Sequence, residues 1–315
     1  MFEHDFEFDP TYGTTQADLL QVGLPPEPYG FVAFWEATHV ETLDLPLNLT
    51  KTQLQSPDPR YELHRVDFDT WGGFRIGSWL TVPADGDIRR GVVVGHGYGG
   101  REAPDMDLPI RHAVAIFPCA PGFHLSAAAG LPGNAQEHVV HGIDSREGYI
   151  LRPSVAMLWS AASVLLSCYP QVTGHLAYSG GSFGGGLGAL ALPWDARFTK
   201  AHLGVPTFGH HPLRLQSPCV GSGEAVRRYH RGHPEVVDVL ATYDAAVAAS
   251  HISIPVRVSP ALFDPAVPPP GQFAVANAIP DRKVFILKAG HFEYEETAAE
   301  EVALRETQEQ WFQTV

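Results

Sequence analysis

Three residues that lie far apart in the sequence have the types and surroundings needed for nucleophilic catalysis. The first, Ser182, lies in residues 180–184, which read G-G-S-F-G and match the pattern G-x-S-x-G. This pattern is typical of a sharp turn between a strand and a helix with the serine at its tip, because a side chain two positions before or after it would collide with the strand or the helix. Glycine is frequent, with 31 of 315 residues, so the pattern taken alone also fits an ordinary glycine-rich turn.

An aspartate and a histidine follow later in the chain, each directly after an apolar run that predicts a strand. A serine hydroxyl is a poor nucleophile at neutral pH and needs a base. His291 would accept its proton, and Asp264 would orient the imidazole and stabilise its charged form. The order Ser182, Asp264, His291 is the one that the α/β-hydrolase arrangement requires. The alternatives are a turn aspartate before Pro265 and an ordinary loop histidine after Gly290.

Acyl transfer also needs two preorganised N–H donors for the developing oxyanion. We expect the backbone amide of Phe183, next to the nucleophile, to be one of them. The other should come from residues 96–99, which read H-G-Y-G after the first core strand, and Tyr98 is the candidate. Losing one such donor costs about 3 kcal/mol of barrier. We expect His96 to support this loop and to take no part in the chemistry.

The elements that must position these residues alternate between strands and helices. The strands are predicted at 61–68, 74–82, 90–96, 112–117, from 175, and at 200–205, 255–259 and 283–287. The helices are predicted at 31–42, 149–167, after Ser182, and at 224–229, 235–249, 272–279 and 297–315. The first two strands form an antiparallel hairpin, and residues 123–145 form a loop. The alternation predicts an α/β protein with a mostly parallel central sheet and helices on both faces.

Length and charge limit the remaining possibilities. We expect one domain over residues 1–315, in which residues 1–50 form an N-terminal extension that packs on the core. The formal net charge is −14, from 21 Lys plus Arg against 35 Asp plus Glu. A chain this acidic lacks the excess of basic residues that binding to nucleic-acid phosphates requires, and anionic lipid attracts it little. We therefore expect neither nucleic acid nor a membrane among its partners.

Cysteine and histidine usage points to a protein of a reducing compartment without a metal. The cysteines, at 119, 168 and 219, suggest neither a disulfide framework nor a C-x-x-C pair. With no signal-peptide pattern or long apolar span, we expect a cytoplasmic protein. Neighbouring histidines occur at 138/141, 210/211 and 230/233, but none belongs to a known metal motif. We therefore expect no metal and no cofactor.

Taken together, these motifs resemble the acetyl xylan esterase and cephalosporin C deacetylase group, carbohydrate esterase family seven, within the α/β-hydrolases. The resembling segments are 34–36, 73–83, 96–98, 179–186, 262–269 and 290–291. The resemblance implies an α/β-hydrolase fold, with Ser182, Asp264 and His291 as the catalytic triad and Tyr98 and Phe183 as the oxyanion amides. It also implies a small-molecule ester as substrate. Because family members are often oligomers, it suggests a homo-oligomer as well.

Three departures from the family pattern bear on the substrate. Residues 121–123 read P-G-F where the family has R-G-Q. Phe183 replaces a glutamine, although its backbone donor survives, and Phe292 stands where the family has a glutamate after the base. The surroundings are thus more apolar. We expect Phe123 and Phe292, together with Phe183, to crowd the acyl pocket and favour acetyl over butyryl groups.

The sequence therefore predicts a serine esterase that removes short acyl groups, most simply acetyl, from sugars or other small alcohols through an acyl-enzyme on Ser182. Two alternatives remain. One is a peptidase of the prolyl-oligopeptidase-like branch, which usually carries a lid domain for which this chain has no candidate. The other is a hydrolase-fold protein without catalysis, against which the complete triad argues.

Overall fold

The computed structural model describes residues 2–315, and its largest element is a nine-stranded sheet. Its strands are β1 (Thr50–Leu54), β2 (Tyr61–Thr70), β3 (Phe74–Pro83), β4 (Arg90–Val94), β5 (Ala113–Pro118), β6 (Leu176–Gly181), β7 (Phe198–Gly204), β8 (Val256–Ser259) and β10 (Arg282–Val284). They lie in the order β1-β2-β3-β5-β4-β6-β7-β8-β10. The six strands from β5 to β10 are parallel, and β1, β2 and β3 add an antiparallel edge. The predicted α/β class and mostly parallel sheet are confirmed.

Helices occupy most of the connections between strands. They are α1 (Gln16–Leu19), α2 (Phe31–Asp44), α3 (Ala135–His138), α4 (Leu151–Cys168), α5 (Phe183–Ala191), α6 (His211–Gln216), α7 (Gly223–Gly232), α8 (Val236–Thr242), α9 (Ala245–Ala249), α10 (Pro269–Ala278) and α11 (Thr297–Phe312). By length and composition α4 could cross a membrane, but 78% of it is buried inside the protein. It is therefore placed as a core helix, packed against α2, α5 and the sheet.

The order of the strands brings two loops of the predicted site together. β4 has β5 as its neighbour on one side and β6 on the other. The connection from β4 to β5 and the connection from β5 to β6 therefore run in opposite directions along the sheet. Such a switch point opens a crevice at the carboxyl ends of the two strands. Val94 at the end of β4 pairs with Ser179 near the end of β6. The loop of Tyr98 and the turn of Ser182 therefore begin side by side.

The acid and the base come from a second, smaller sheet. β9 (Ala261–Phe263) and β11 (Leu287–Ala289) form a parallel pair in which Ala289 lies opposite Phe263. The sequence predicted one strand at 283–287, and this prediction is wrong in its bounds. The chain first pairs with β8 through β10, an exposed edge strand, and through the amide of Phe285, which donates to the carbonyl of Val258 at 3.0 Å. It then leaves the large sheet and pairs with β9 through β11.

The region 235–249 also differs from its prediction, because it forms two helices. Asp244 lies between α8 and α9, and its side chain accepts the amides of Ala246 at 2.9 Å and Val247 at 3.4 Å. A carboxylate in that position caps a new helix start, which ends the first helix and turns the chain.

Residues 2–50 lie along the core. In α2, Trp35 is fully buried and its indole N–H donates to the carbonyl of Thr242 at 3.0 Å. Strand β1, which the sequence did not predict, begins at the end of this region and pairs with β2. Its five residues are all exposed and lack the apolar alternation on which strand prediction depends.

Candidate active site

Ser182 lies on the predicted sharp turn between β6 and α5. Its backbone angles are φ 52° and ψ −112°, in a region that residues with a side chain rarely adopt. Three backbone hydrogen bonds hold it there. Its amide donates to the carbonyl of Gly204 at 2.8 Å, and its own carbonyl accepts the amides of Gly186 at 3.0 Å and Thr207 at 3.2 Å. Strain of this kind persists only where the surroundings fix it, and it is common at catalytic residues.

The glycine two positions after the nucleophile is required by close packing. A Cβ on Gly184 would lie 2.9 Å from the carbonyl carbon of Gly95 and 3.0 Å from the carbonyl oxygen of His96. The first turn of α5 thus packs directly on the backbone that leads into the loop of Tyr98. This close approach is the reason that the sequence pattern suggested for the glycine.

The structure brings the three catalytic candidates into one hydrogen-bonded chain. Nδ1 of His291 lies 2.8 Å from Oδ2 of Asp264, and Nε2 lies 3.0 Å from Oγ of Ser182. Because an ionised carboxylate can only accept, Nδ1 carries the proton and Nε2 is the free acceptor. The hydroxyl of Ser182 therefore donates to Nε2, which is the arrangement that a general base needs.

Asp264 is fully buried, and protein donors satisfy its carboxylate. Oδ1 accepts the amides of Ala266 and Val267, each at 2.9 Å, and Oδ2 accepts the side-chain amide of Gln272 at 2.8 Å. Gln272, on α10, is itself held by the amide of Ala261, which donates to its Oε1 at 2.8 Å. The sequence analysis missed Gln272. Its only signal was a polar residue in the otherwise apolar first turns of α10.

The surroundings of His291 set its basicity. Burial lowers the pKa of the imidazole, but the hydrogen bond and the charge of Asp264 raise it more, so that the pKa lies above the ordinary value of 6.5. The loop can approach the acid so closely because residue 290 is glycine. A Cβ there would lie 2.5 Å from Oδ2 of Asp264.

The two expected oxyanion donors lie beside the nucleophile. Phe183 is the first residue of α5, where backbone amides have no acceptor within the helix. Tyr98 lies in the wall of the cavity that contains Ser182. The rings of Tyr98 and Phe183 stack with centroids 3.9 Å apart and planes 20° apart, so the two donor segments are packed against each other.

His96 fixes the loop that carries Tyr98. Its Nδ1 lies 2.7 Å from the carbonyl oxygen of Gly97, and its Nε2 accepts the amide of Ala120 at 2.9 Å. Nδ1 must therefore be the protonated nitrogen. Burial lowers the pKa of the ring to about 4, so it is neutral at neutral pH. These contacts fit the expected supporting role of His96.

His138 is a second supporting histidine, which the sequence analysis weighed only as part of a metal pair. It is fully buried, and its Nε2 lies 2.9 Å from the carbonyl oxygen of Pro121, to which it must donate. Nδ1 is then an acceptor, and the hydroxyl of Tyr98 donates to it at 3.2 Å. Burial lowers the pKa of His138 to about 4.

The nucleophile opens into a cavity of about 590 Å³. The cavity is lined by Gly97, Tyr98, Gly99, Gly133, Asn134, Ala135, Gln136, Ser182, Thr207, Val220, Gly221, Ser222, Ala266, Val267 and His291. Part of the predicted loop 123–145, around α3, thus forms one wall, and the loop between α6 and α7 forms another.

None of the three phenylalanines expected to crowd the acyl pocket, Phe123, Phe183 and Phe292, lines this cavity, which corrects that expectation. Phe123 is 2% exposed and packs inward, with its centroid 4.9 Å from that of His138. Phe292 packs on Phe263 with centroids 4.9 Å apart and borders a separate cavity of about 500 Å³. The sequence places both residues beside the site, but the direction of their side chains depends on the local backbone.

Among residues 2–315, no group of three or more His, Cys, Asp or Glu side chains is arranged to hold a metal ion. The chemistry described above uses the serine, histidine and aspartate side chains and the backbone amides.

A sequence profile described as acetyl xylan esterase (AXE1) matches residues 22–312, which is most of the chain. The chain belongs to the acetyl xylan esterase family. Membership confirms the family predicted from the motifs, and it makes the protein a carboxylic ester hydrolase that acts on acetyl esters.

Solved structures of acetyl xylan esterases share the fold of this family member at low sequence identity. The enzyme from Paenibacillus sp. R4 matches with a TM-score of 0.81 and 19% identity, over 95% of this chain and 100% of that one. The acetyl xylan esterase 1 from Thermoanaerobacterium sp. JW/SL YS485 matches with a TM-score of 0.80 and 19% identity, over 96% and 99%. At this identity the likeness establishes the fold.

A peptidase has a weaker likeness. A puromycin-hydrolysing peptidase from Mycobacterium tuberculosis matches with a TM-score of 0.61 and 17% identity, over 83% of this chain but only 40% of that one. The two acetyl xylan esterase structures are thus matched over nearly their whole length, whereas the peptidase is matched over less than half of its length. The peptidase alternative is accordingly the less supported one.

Proposed function

We propose that this member of the acetyl xylan esterase family removes acetyl groups from the hydroxyls of sugars through an acyl-enzyme on Ser182. The observation that carries the proposal is the hydrogen-bonded chain from Asp264 through His291 to Ser182, with links of 2.8 and 3.0 Å, at the wall of a cavity of about 590 Å³.

In the first half of the reaction, Oγ of Ser182 attacks the acetyl carbonyl carbon while its proton passes to Nε2 of His291. The carbonyl oxygen becomes an oxyanion, which the amides of Tyr98 and Phe183 would bind. As the tetrahedral intermediate collapses, the C–O bond to the sugar breaks and His291 returns the proton to the sugar oxygen. Asp264 holds the imidazole throughout and stabilises its positive charge.

In the second half, a water molecule replaces the sugar. His291 accepts its proton, and the hydroxide oxygen attacks the acetyl-serine carbonyl at the same oxyanion site. Collapse releases acetate, and the proton on His291 returns to Oγ of Ser182. The same three side chains thus serve both halves, so the loss of any one of them affects acylation and deacylation together.

The cavity wall supports a polyhydroxy substrate. Its volume lies within the range of about 300–1,000 Å³ that is usual for small-molecule sites. Thr207 and Ser222 are 2% and 8% exposed, and in the described part of the chain no residue hydrogen-bonds to their hydroxyls. Gln136, an exposed residue with a side-chain amide, also lines the cavity. Unengaged polar groups in a binding cavity favour a ligand that can hydrogen-bond with them.

The test compares initial rates on an acetylated xylo-oligosaccharide, on p-nitrophenyl acetate, butyrate and hexanoate, and on an aminoacyl-proline amide. We expect the acetylated sugar to be hydrolysed, acetate to be the best of the nitrophenyl esters, and the amide to be left intact. Ser182→Ala provides the blank for every substrate. Turnover of the amide above that of the acetyl esters would contradict the proposal, as would an optimum at hexanoate or longer.

A further inference from the structure

Residues 2–12, named here the aromatic arm, contain neither a helix nor a strand and end in a turn in which the amide of Tyr12 donates to the carbonyl of Asp9. Its apolar and acidic residues alternate. Phe2, His4, Phe6 and Phe8 are partly buried, whereas Glu3, Asp5, Glu7 and Asp9 are exposed. The arm precedes residues 22–312, the part that the family profile matches.

The arm contacts the loop that carries the catalytic acid. The backbone carbonyl of Pro10, a buried residue, accepts the amide of Asp264 itself at 3.1 Å. The ring of Phe2 packs edge-on against Phe263, the residue before the acid, with centroids 5.0 Å apart and planes 73° apart. His4 also packs on Phe263, with centroids 5.5 Å apart.

The same arm contacts the loop that carries the catalytic base. Phe292 directly follows His291, and its ring lies 5.7 Å from that of Phe2 and 6.1 Å from that of Phe6, measured between centroids. Tyr294 lies 4.8 Å from Phe2. Phe2 thus packs at once against the neighbour of the acid and against two residues of the base loop.

The two loops also contact each other directly, since the amide of Gly290 donates to the carbonyl of Phe263 at 2.8 Å and the rings of Phe263 and Phe292 lie 4.9 Å apart between centroids. Their strands, β9 and β11, have three residues each and pair with each other outside the nine-stranded sheet. Two-stranded sheets of this length have little stability of their own and depend on packing against their surroundings. The arm adds to that packing through Phe2, which contacts Phe263 and Phe292, and through Phe6, which contacts Phe292.

A third contact extends the arm toward the substrate cavity. The hydroxyl of Tyr12 donates to the carbonyl of Pro218 at 2.7 Å. Two residues later, the amide of Val220 donates to the carbonyl of Pro265, next to the acid, at 2.8 Å. Val220 itself lines the cavity. The arm is thus joined to both the acid loop and the cavity wall that adjoins it.

We propose that the aromatic arm is a positioning element of the hydrolytic reaction, in which Phe2 holds the acid loop and the base loop at the separation that the Asp264–His291 hydrogen bond requires. The inference rests on the proposed function only in that these two residues perform the chemistry. The arm itself touches neither substrate nor reacting atoms.

The test uses the full chain with three single substitutions at aromatic positions of the arm. Phe2→Ala removes the ring that packs on both loops. Phe2→Leu keeps apolar bulk at the same place. Phe8→Ala is the matched control, because Phe8 is also a partly buried ring of the arm but packs on Phe6 and Tyr12, with centroids 5.8 and 5.9 Å away, and on neither loop aromatic.

For Phe2→Ala we expect kcat on p-nitrophenyl acetate to fall on the order of tenfold, since a small misplacement of a catalytic group is costly. KM should change less than kcat, because Phe2 does not line the substrate cavity. The pKa of His291, followed by NMR titration of its ring, should fall toward its ordinary value as the hydrogen bond to Asp264 loosens. Phe2→Leu should recover most of kcat, and Phe8→Ala should retain the wild-type kcat and His291 pKa.

Wild-type kcat and an unchanged His291 pKa in Phe2→Ala would overturn the proposal, and so would an equal loss in Phe8→Ala. The NMR titration separates this inference from the proposed function, because it reports on the pairing of His291 with Asp264 whether or not the enzyme hydrolyses the ester. Urea unfolding of each variant identifies a global loss of folding. If Phe2→Ala does not fold, Phe2→Val replaces it, because valine also lacks the ring: an unchanged His291 pKa in Phe2→Val overturns the proposal, and a decrease supports it.

Discussion

At the scale of single residues, the site depends on the carboxylate of Asp264 and on the protein groups that hydrogen-bond to it. Asp264 is buried, yet it accepts three donors besides the imidazole of His291. An ionised group in that position has lost its hydration, and the amides of the acid loop and Gln272 replace it. The rigidity of these contacts is what allows one oxygen to be presented to Nδ1 of His291 and held there.

Replacing this carboxylate with an amide tests its electrostatic role. In Asp264→Asn the shape is kept and the charge is lost, so we expect kcat to fall by about 10⁴-fold because the imidazole is no longer held in the correct tautomer. Since burial lowers the pKa of His291 and Asp264 raises it, the variant should have a lower His291 pKa than the wild type.

The direction of the pH effect follows from the role of a base, which must be neutral to accept a proton. Activity is lost as the pH falls through the pKa of His291, so the acidic limb of kcat/KM should lie above pH 6.5 in the wild type. In Asp264→Asn the limb of the remaining activity should move to lower pH. Profiles of kcat/KM against pH for both proteins check this, and coincident acidic limbs would contradict it.

At the scale of elements, the central feature is the packing of α5 against the loop that follows β4. The helix supplies the amide of Phe183 and the loop supplies that of Tyr98, so the distance between the two donors depends on this contact. Gly184 sets that distance, because its Cα faces the backbone of Gly95 and His96 without a side chain between them.

A methyl group at this contact should separate the two donors. In Gly184→Ala the new Cβ would lie 2.9 and 3.0 Å from backbone atoms that cannot rotate away, so the helix or the loop must shift. We expect kcat/KM on p-nitrophenyl acetate to fall at least tenfold, with a loss of about 1–3 kcal/mol in the free energy of unfolding. Steady-state kinetics and urea unfolding measure the two effects.

Gly181→Ala is the matched control for this substitution. It adds the same methyl group three positions earlier, where the nearest atom to the new Cβ is the carbonyl oxygen of Gly204 at 3.9 Å. It should retain most of the activity and the stability. A Gly184→Ala enzyme as active as Gly181→Ala would show that the contact between α5 and the loop does not set the oxyanion site.

At the scale of the whole molecule, the sequence was most informative where the chemistry constrains it. The strand-turn-helix around Ser182 could be predicted because a nucleophile on a tight turn requires glycine beside it. The large sheet could be predicted because its central strands, such as β5, are buried on both faces and therefore continuously apolar. The family could be predicted from the same motifs, since they carry the residues of the site.

The parts that could not be predicted depend on contacts between distant segments. Within the predicted strand 283–287, residues 284–287 are continuously apolar, and only the two different partners, β8 and β9, divide this region into β10 and β11. The directions of Phe123 and Phe292 are likewise fixed by what surrounds them, with the aromatic arm covering Phe292. Such long-range partners leave no periodicity in the local sequence.

The most direct test of the central claim is to trap the acyl-enzyme. The protein is mixed with p-nitrophenyl acetate, quenched in acid within the first turnover, digested, and analysed by peptide mass spectrometry. The structure predicts one acetyl group on the peptide that contains Ser182, and no acetylated peptide from Ser182→Ala. Acetylation of another residue at the same rate, or an undiminished burst of nitrophenol from Ser182→Ala, would contradict the assignment of Ser182 as the nucleophile.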